Sequence, residues 1–265
     1  MIQGQEKICN LIDNCTLDSF PRSLMLVGAS GGGKHLICDY ISKKFKLTMI
    51  DITDNLDLET IQMIYERVEP YLYIIQANSI TVKEENTILK FLEEPLKNSF
   101  IVLLAETDMG ILPTILNRCQ IWHLQNYKKD FLKTFLKTDD DFILEIAQTP
   151  GQVKLLSDDS FVEMVALADK IISKISSASV ANTLTLSNKI AFKDERGKFP
   201  IKIFVDILLT RITSCWKEST DVRYVSAYTL TSELKKNLQI KNFDHKALFE
   251  KYLVDLRFLM KGVTL

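Results

Sequence analysis

The chain has 265 residues, of which 46% are hydrophobic and 25% are charged, a composition typical of globular proteins. This length predicts one or two domains, and the few glycines and prolines exclude a collagen-like or disordered chain. No apolar run reaches the roughly 18 residues of a membrane helix, and no secretory signal precedes the first strand. Five scattered cysteines without a C-x-x-C pair predict reduced thiols in the cytoplasm and no zinc site.

Charge is distributed unevenly along the chain. Residues 1–124 contain 11 basic and 16 acidic side chains, whereas residues 125–265 contain 22 and 18. Neither part is basic enough to predict nucleic-acid binding from charge alone.

The first 124 residues alternate short apolar runs with helical patterns. Helices are predicted at 34–45 and 58–68, and Thr81-x-x-Glu84 is a capping box that opens a third helix, which Pro95 ends. The apolar runs are at 23–28, 47–52, 71–75, 100–104 and 120–124. Continuous apolar strands between helices predict an α/β fold, with a parallel sheet covered by helices on both faces.

Strand patterns are absent after residue 125. Short helices are expected at 128–137, 142–148 and 152–157, with a break at Thr149-Pro150-Gly151. Longer amphipathic helices are expected at 161–175, 178–192, 200–217, 222–238 and 248–259, with a charged connection at 193–198. We therefore predict an α/β domain at 1–125, a small helical unit at 126–158 and an all-helical domain at 159–265.

A phosphate-loop pattern follows the first predicted strand. The segment Gly28-Ala-Ser-Gly-Gly-Gly-Lys34 fits G-x-x-x-x-G-K and lies between a strand and a helix, as the motif requires. Glycines such as Gly31 and Gly33 let backbone N–H groups turn towards phosphates, and Lys34 adds a positive charge. A glycine-rich turn without a ligand is the structural alternative.

Two residue types that a magnesium-dependent site needs are missing. His35 replaces the serine or threonine whose hydroxyl binds Mg²⁺, and imidazole is a poor ligand for this ion. The strand at 71–75 is followed by Gln76-Ala77-Asn78 instead of an acidic residue. We expect ATP or ADP to bind weakly or structurally, Mg²⁺ to be poorly held and hydrolysis to be absent.

Several segments, in order, resemble bacterial DNA polymerase III clamp-loader subunits of the AAA+ class, specifically the delta-prime type. The most characteristic segments are Asn86-Thr-Ile-Leu-Lys-Phe-Leu-Glu-Glu-Pro95 and Leu112-Pro-Thr-Ile-Leu-Asn-Arg-Cys-Gln120. The opening Ile2-Gln-Gly-Gln-Glu6 and Phe20-Pro-Arg-Ser-Leu-Met-Leu-Val-Gly28 also resemble the family. The strong matches cover residues 1–124.

The resemblance implies a RecA-like AAA+ domain, a helical lid at 126–158 and a helical collar at 159–265 that mediates assembly. It implies a hetero-oligomer that opens a sliding clamp and places it on primed DNA, with other clamp-loader subunits as partners. Arg118 occupies the position of the family's arginine finger, which acts on a neighbouring subunit's ATP site. Thr107 falls at the sensor-1 position, no basic residue stands at Gly151 or Gln152 for sensor 2, and the family's zinc insertion is missing.

Other interpretations remain open at this stage. Lys83, in the first turn of the predicted third helix, is a candidate DNA contact or an ordinary exposed lysine. Arg118 could be a surface residue in a structural salt bridge. The whole chain could instead be a stand-alone P-loop nucleotide-binding protein or phosphotransferase, or a scaffold that binds no nucleotide.

Overall fold

The computed structural model describes residues 2–67, 69–78, 80–93, 99–137, 141–158, 160–191, 199–240 and 244–262. Pro95, predicted to end a helix, and the charged connection at 193–198 lie outside these residues. The chain forms two compact units, one of residues 1–135 and 148–152 and the other of residues 136–147 and 153–265. The three-part division predicted from the sequence stays a prediction.

The first unit contains the predicted parallel sheet. Its strands lie in the order β2-β3-β4-β1-β5, and every pair is parallel. The strands are β1 (Ser23–Val27), β2 (Thr48–Asp51), β3 (Tyr71–Gln76), β4 (Phe100–Ala105) and β5 (Gln120–His123). The helices are α1 (Glu6–Asn14), α2 (Lys34–Phe45), α3 (Leu58–Tyr65), α4 (Val82–Glu93), α5 (Pro113–Leu116) and α6 (Lys129–Lys133). All five predicted strands are confirmed.

Alternate side chains of the central strands point to opposite faces of the sheet, and each face is covered by helices. On one face, Leu24 and Leu26 of β1 pack with residues of α1 and α2. On the other face, Met25 and Val27 pack with residues of α3, α4 and α5. The predicted cover of helices on both faces is confirmed. The two outer strands, β2 and β5, are more exposed than the three strands between them.

Side-chain caps begin two of these helices. The Oε2 atom of Glu84 accepts from the N–H of Thr81 at 2.6 Å, and the Thr81 hydroxyl accepts from the N–H of Glu84 at 3.3 Å. This reciprocal pair confirms the predicted capping box of α4. Asp57 caps α3 by accepting from the N–H of Thr60 at 2.7 Å.

The second unit is mainly helical. It contains α7 (Ile143–Ile146), most of α8 (Pro150–Leu156), α9 (Ser160–Lys174), α10 (Val180–Leu184), α11 (Ile201–Ser219), α12 (Val222–Asn237) and α13 (His245–Met260). Phe204 of α11 and Phe249 of α13 meet edge to face with ring centroids 6.1 Å apart. Inside the same core, the hydroxyls of Thr231 and Tyr252 lie 2.9 Å apart, so each polar group has a partner where water is excluded.

Two local predictions are wrong. Helix is predicted throughout 178–192, but α10 ends at Leu184, a 3₁₀ helix covers Thr185–Lys189, and β6 (Ile190–Ala191) pairs with β7 (Phe199–Pro200). Two-residue strands are too short to produce a periodic pattern. The break predicted at residues 149–151 is misplaced by two residues: residues 147–149 separate α7 from α8, and Pro150 and Gly151 already belong to the first turn of α8. Proline is tolerated at a helix start, where its missing N–H would have had no partner.

Phe20 provides a test of the core of the first unit. Its buried ring contacts Phe45, Phe100 and Trp122, with centroids 5.0, 5.4 and 5.9 Å away. We expect Phe20→Ala to reduce the free energy of unfolding by about 3–5 kcal/mol, because it removes packing and leaves a cavity. Urea denaturation combined with hydrogen exchange of β1 and β5 amides measures this. Met63→Ala, at an exposed position on α3, is the control and should change stability by less than about 0.5 kcal/mol. A loss below about 1 kcal/mol for Phe20→Ala would contradict the packing described.

Candidate nucleotide site and surface arginine

The predicted phosphate loop connects β1 to α2. Gly31 and Gly33 have φ values of 72° and 94°, in the left-handed region that glycine adopts without strain. Gly33 is the N-cap of α2, which begins at Lys34. Successive turns of this kind direct backbone N–H groups into a concave surface suited to anions. Gly31 and Gly33 therefore have the left-handed conformations that a loop of this kind uses.

The lysine of the motif contacts its own loop. The Lys34 Nζ donates to the carbonyl oxygens of Gly28 and Ala29, the latter at 3.2 Å. This places its positive charge over the first turn of the loop. A bound phosphate would have to draw the ammonium group away from these carbonyls.

A histidine and a glutamine lie where a metal-dependent site needs a hydroxyl and an acid. The Nε2 atoms of His35 and Gln76 are 2.9 Å apart, and the Gln76 amide donates when the imidazole nitrogen has no proton. Mg²⁺ favours hard oxygen ligands, above all carboxylates and water, so this pair does not fit it. We call these two side chains the His35–Gln76 pair.

A threonine that sequence analysis did not single out supports the glutamine. The Thr53 hydroxyl accepts from the Gln76 N–H at 2.9 Å and donates to the Asp51 carboxylate at 2.6 Å. Asp51 ends β2 and Gln76 ends β3, so the parallel pairing of these strands brings both residues to the C-terminal end of the sheet. The acidic residue near the end of the second predicted strand was the available signal.

Thr107 lies just beyond β4 and turns its hydroxyl towards its own loop. It accepts from the N–H of Met109 at 3.2 Å and lies 3.5 Å from the Asp108 carboxylate. Asn78 holds this loop, since its Oδ1 accepts from the Glu106 N–H at 2.5 Å. The hydrogen bond from Gly28 N–H to Ala105 carbonyl, 3.0 Å long, joins the end of β4 to the start of the phosphate loop.

The crest of the phosphate loop contacts a distant segment of the same unit. The buried Thr149 donates its hydroxyl to the Ser30 carbonyl at 2.7 Å, and Gly151 N–H donates to the Gly31 carbonyl at 3.2 Å. A Cβ on Gly151 would lie 2.5 Å from the Gly31 Cα, a distance that only glycine allows. Sequence analysis treated this segment as a simple break, and no local pattern predicts its partner.

Tyr127 covers another part of the same loop. Its hydroxyl donates to the Gly32 carbonyl at 2.8 Å, and burial raises the pKa of this phenol above its usual value. The phenol is therefore a neutral donor at physiological pH. Two inward contacts, from Tyr127 and from Thr149–Gly151, thus hold the loop in place.

Arg118 lies at the N-terminal ends of the parallel strands, whereas the phosphate loop lies at their C-terminal ends. In the parallel pairing of β5 with β1, Gln120 is beside Leu24 and His123 is beside Val27. Arg118 precedes the start of β5, whereas the loop follows the end of β1. The four residues of β5 span about 13 Å, and this length separates the two ends of the strands. Arg118 is therefore far from the loop of its own chain.

The guanidinium group of Arg118 has two partners in this chain. Its Nη1 donates to the Thr114 carbonyl at 2.8 Å, and its Nη2 pairs with the Glu93 carboxylate at 2.5 Å. The side chains of Arg118 and Glu93 remain 34% and 49% exposed.

Burial raises the pKa of the adjacent Cys119 to about 12, so that thiol is neutral at physiological pH and suits a packing role.

The remaining candidate residues do not converge on one site. Lys83 is exposed in the first turn of α4, near the same edge of the sheet as the phosphate loop. Among the described residues, no three His, Cys, Asp or Glu side chains are close enough to hold a metal ion. In that same part of the chain, no helix is long and apolar enough to cross a membrane.

The Gly31–Gly151 contact can be tested by adding one methyl group. Alanine at position 151 would favour the helix by up to about 1 kcal/mol, but its Cβ would meet loop backbone that cannot swing away. We expect Gly151→Ala to destabilise the first unit by about 1–3 kcal/mol, with faster hydrogen exchange at 28–34. Leu155→Ala, exposed on the same helix, is the control and should leave the loop unchanged. Greater stability in Gly151→Ala would refute the close contact.

Comparisons with known proteins agree with the motifs. Residues 32–128 match the family model described as DNA polymerase III, delta subunit. The chain is 30% identical over 134 residues to DNA polymerase III subunit delta′ of Bacillus subtilis, covering 50% of this chain and 33% of that protein. It is 34% identical over 67 residues to the subunit delta′ of Haemophilus influenzae, covering 25% and 20% of the two chains. The matched region thus spans a third or less of these relatives.

Two solved structures give weak likenesses, with TM-scores below 0.5. A DNA polymerase III gamma subunit-related protein of Thermotoga maritima gives a TM-score of 0.49 at 17% identity, covering 96% of this chain and 99% of that one. The RuvB Holliday junction branch migration motor of the same organism gives 0.45 at 14% identity, with coverage of 63% and 64%. The sequence matches, and not these likenesses, decide the relationship. The predicted resemblance of this chain to DNA polymerase III clamp-loader subunits of the delta-prime type is confirmed, with the family match at residues 32–128.

Proposed function

We propose that this chain is a non-hydrolysing clamp-loader subunit that supplies Arg118 to the ATP site of a neighbouring subunit. In this role it helps to load a sliding clamp onto primed DNA in the cytoplasm, as part of a hetero-oligomer with other clamp-loader subunits. The similarity to delta-prime subunits supports the assembly, and the placement of Arg118 supports its role within it.

The observation that carries the proposal is the separation of Arg118 from the phosphate loop. Because the two lie at opposite ends of the parallel strands, Arg118 is out of reach of its own phosphate loop, and we therefore assign it to a site on another chain. It is at an exposed position after α5, whose Ile115 is anchored in the core beneath. A planar guanidinium suits the charge that develops on a phosphoryl group during transfer.

The His35–Gln76 pair supports the absence of hydrolysis in this chain. Hydrolysis of ATP by such sites uses Mg²⁺ to neutralise phosphate charge, with a hydroxyl and a carboxylate holding the ion. The imidazole and the amide provide neither group, and they already contact each other. The same observation argues against a stand-alone phosphotransferase, which would need the metal as well.

The phosphate loop supports weak or structural binding of ATP or ADP. Gly31, Gly33 and Lys34 would contact the phosphates, and Thr107 would lie near the same edge of the sheet. Lys83 in the first turn of α4 is the candidate contact to the DNA backbone. A scaffold without nucleotide remains the alternative: metal-independent binding of ATP would favour the nucleotide site, and no binding would favour the scaffold.

Replacing Arg118 tests the role in trans. In the assembly that co-purifies with the tagged chain, Arg118→Ala should lower ATP turnover at the adjoining site by roughly 10³-fold or more. Arg118→Lys should also be impaired, since an ammonium group cannot form the planar fork. Subunit stoichiometry and melting temperature should be unchanged. Steady-state ATPase assays measure the effect, and unchanged turnover in the intact assembly would refute the proposal.

Nucleotide titration tests the His35–Gln76 pair. We expect the affinity of the isolated chain for ATP to be the same with and without Mg²⁺, because the pair offers the ion no oxygen ligand comparable to a carboxylate. His35→Thr combined with Gln76→Asp should make binding metal-dependent, tightening it severalfold when Mg²⁺ is added. Calorimetry measures both. Tighter binding of Mg²⁺–ATP by the natural chain would contradict the assignment, and no binding at all would favour the scaffold.

A further inference from the structure

The ion pair of Arg118 joins two elements on one face of the sheet. Glu93 is the last residue of α4, and Arg118 follows the short helix α5. Phe91 of α4 and Ile115 of α5 belong to the same buried cluster. The carboxylate and guanidinium groups are therefore carried by anchored backbone, and only the side chains need to move for the pair to open.

This pairing neutralises the charge that the proposed function needs. A phosphate and a carboxylate compete for the same N–H donors of a guanidinium group, since each presents two negatively charged oxygens to its paired donors. While Nη2 is bonded to Glu93, the arginine presents less positive charge to any approaching phosphate. Opening the pair is part of the work of forming the finger contact.

We propose that Glu93 is an autoinhibitory latch for Arg118, closed in the separate subunit and opened when a partner's nucleotide takes its place. The inference rests on the proposed role of Arg118 in trans. The Nη1 hydrogen bond to Thr114 keeps the guanidinium anchored at one edge, so Nη2 exchanges one acceptor for another by a small side-chain rotation.

The Arg118–Glu93 ion pair is weak enough for a phosphate to replace the carboxylate. Both side chains are a third or more exposed, and exposed ion pairs are weak because water and salt screen them. Glu93 also lies at the C-terminal end of α4, where the helix dipole disfavours a carboxylate. Arg118 offsets this repulsion in the closed state, and a nucleotide phosphate, with more charge, outcompetes Glu93 when it is delivered by a partner.

Removing the carboxylate should release the finger. In the ATPase assembly, we expect Glu93→Gln to raise kcat/KM for ATP by roughly 1.5- to 5-fold, the range that corresponds to an exposed ion pair. The ratio kcat/KM includes the cost of opening the latch, whichever step limits turnover. The gain should shrink as salt is raised, because screening weakens the latch in the natural chain.

A double-mutant comparison isolates the latch. In an Arg118→Ala background, Glu93→Gln should change kcat/KM by less than 1.5-fold, since no guanidinium remains to be released. Glu66→Gln is the matched control, because Glu66 is an exposed carboxylate at the end of α3. It should leave kcat/KM unchanged. Melting temperatures of all variants show whether the fold is retained.

The outcomes separate the latch from the proposed function. If Arg118→Ala leaves turnover intact, the role in trans fails and the latch fails with it. If Arg118→Ala impairs turnover but Glu93→Gln leaves kcat/KM unchanged or lowers it, the latch alone is overturned. A gain in Glu93→Gln that persists without Arg118 would also overturn it, since the effect would not pass through the arginine.

Discussion

The direction of the strands is the constraint on which the rest of the molecule depends. All five strands are parallel, so every loop after a strand lies at the C-terminal end of the sheet and every loop before a strand lies at its N-terminal end. The phosphate loop and Thr107 follow strands and Gln76 ends one, whereas Arg118 precedes one. The separation of the phosphate loop from the arginine is thus a consequence of sheet topology and does not depend on the exact position of any side chain.

The glycines of the phosphate loop have a structural use in addition to any use in binding. Gly31 lies against Gly151 at a distance that excludes side chains, and the Thr149 hydroxyl and Tyr127 phenol occupy loop carbonyls. A loop held by these contacts is preorganised without a ligand. A glycine-rich loop can therefore persist in a chain that has lost the groups needed for metal binding, because the fold itself uses the glycines.

Local patterns predicted the elements well, but the contacts between distant residues were not predictable from them. The capping box of α4 and the five apolar strands depend on neighbours in sequence, and the structure confirms both. The contacts of Thr149 with Ser30 and of Arg118 with Glu93 join residues that are 119 and 25 positions apart. No periodicity records such pairs. The strand pair β6–β7 was missed for a different reason, since two residues cannot show alternation.

The phosphate-loop end of the sheet and the Arg118 end differ in the charged groups that they carry. At the phosphate-loop end, the Gln76 amide and the His35 imidazole stand where a metal-dependent site has an acid and a hydroxyl. This pair is poorly suited to bind a divalent cation such as Mg²⁺. At the opposite ends of the strands, the chain carries the Arg118 guanidinium group, a cation that needs no metal. Under the proposed function, such a chain supplies its guanidinium group to a site on another chain instead of completing phosphoryl transfer alone. Under the proposed latch, the Glu93 carboxylate lowers the affinity of this exposed guanidinium group for phosphates that no partner presents. Pairing it in cis restricts its use to a phosphate that a docked partner holds close enough to displace the carboxylate.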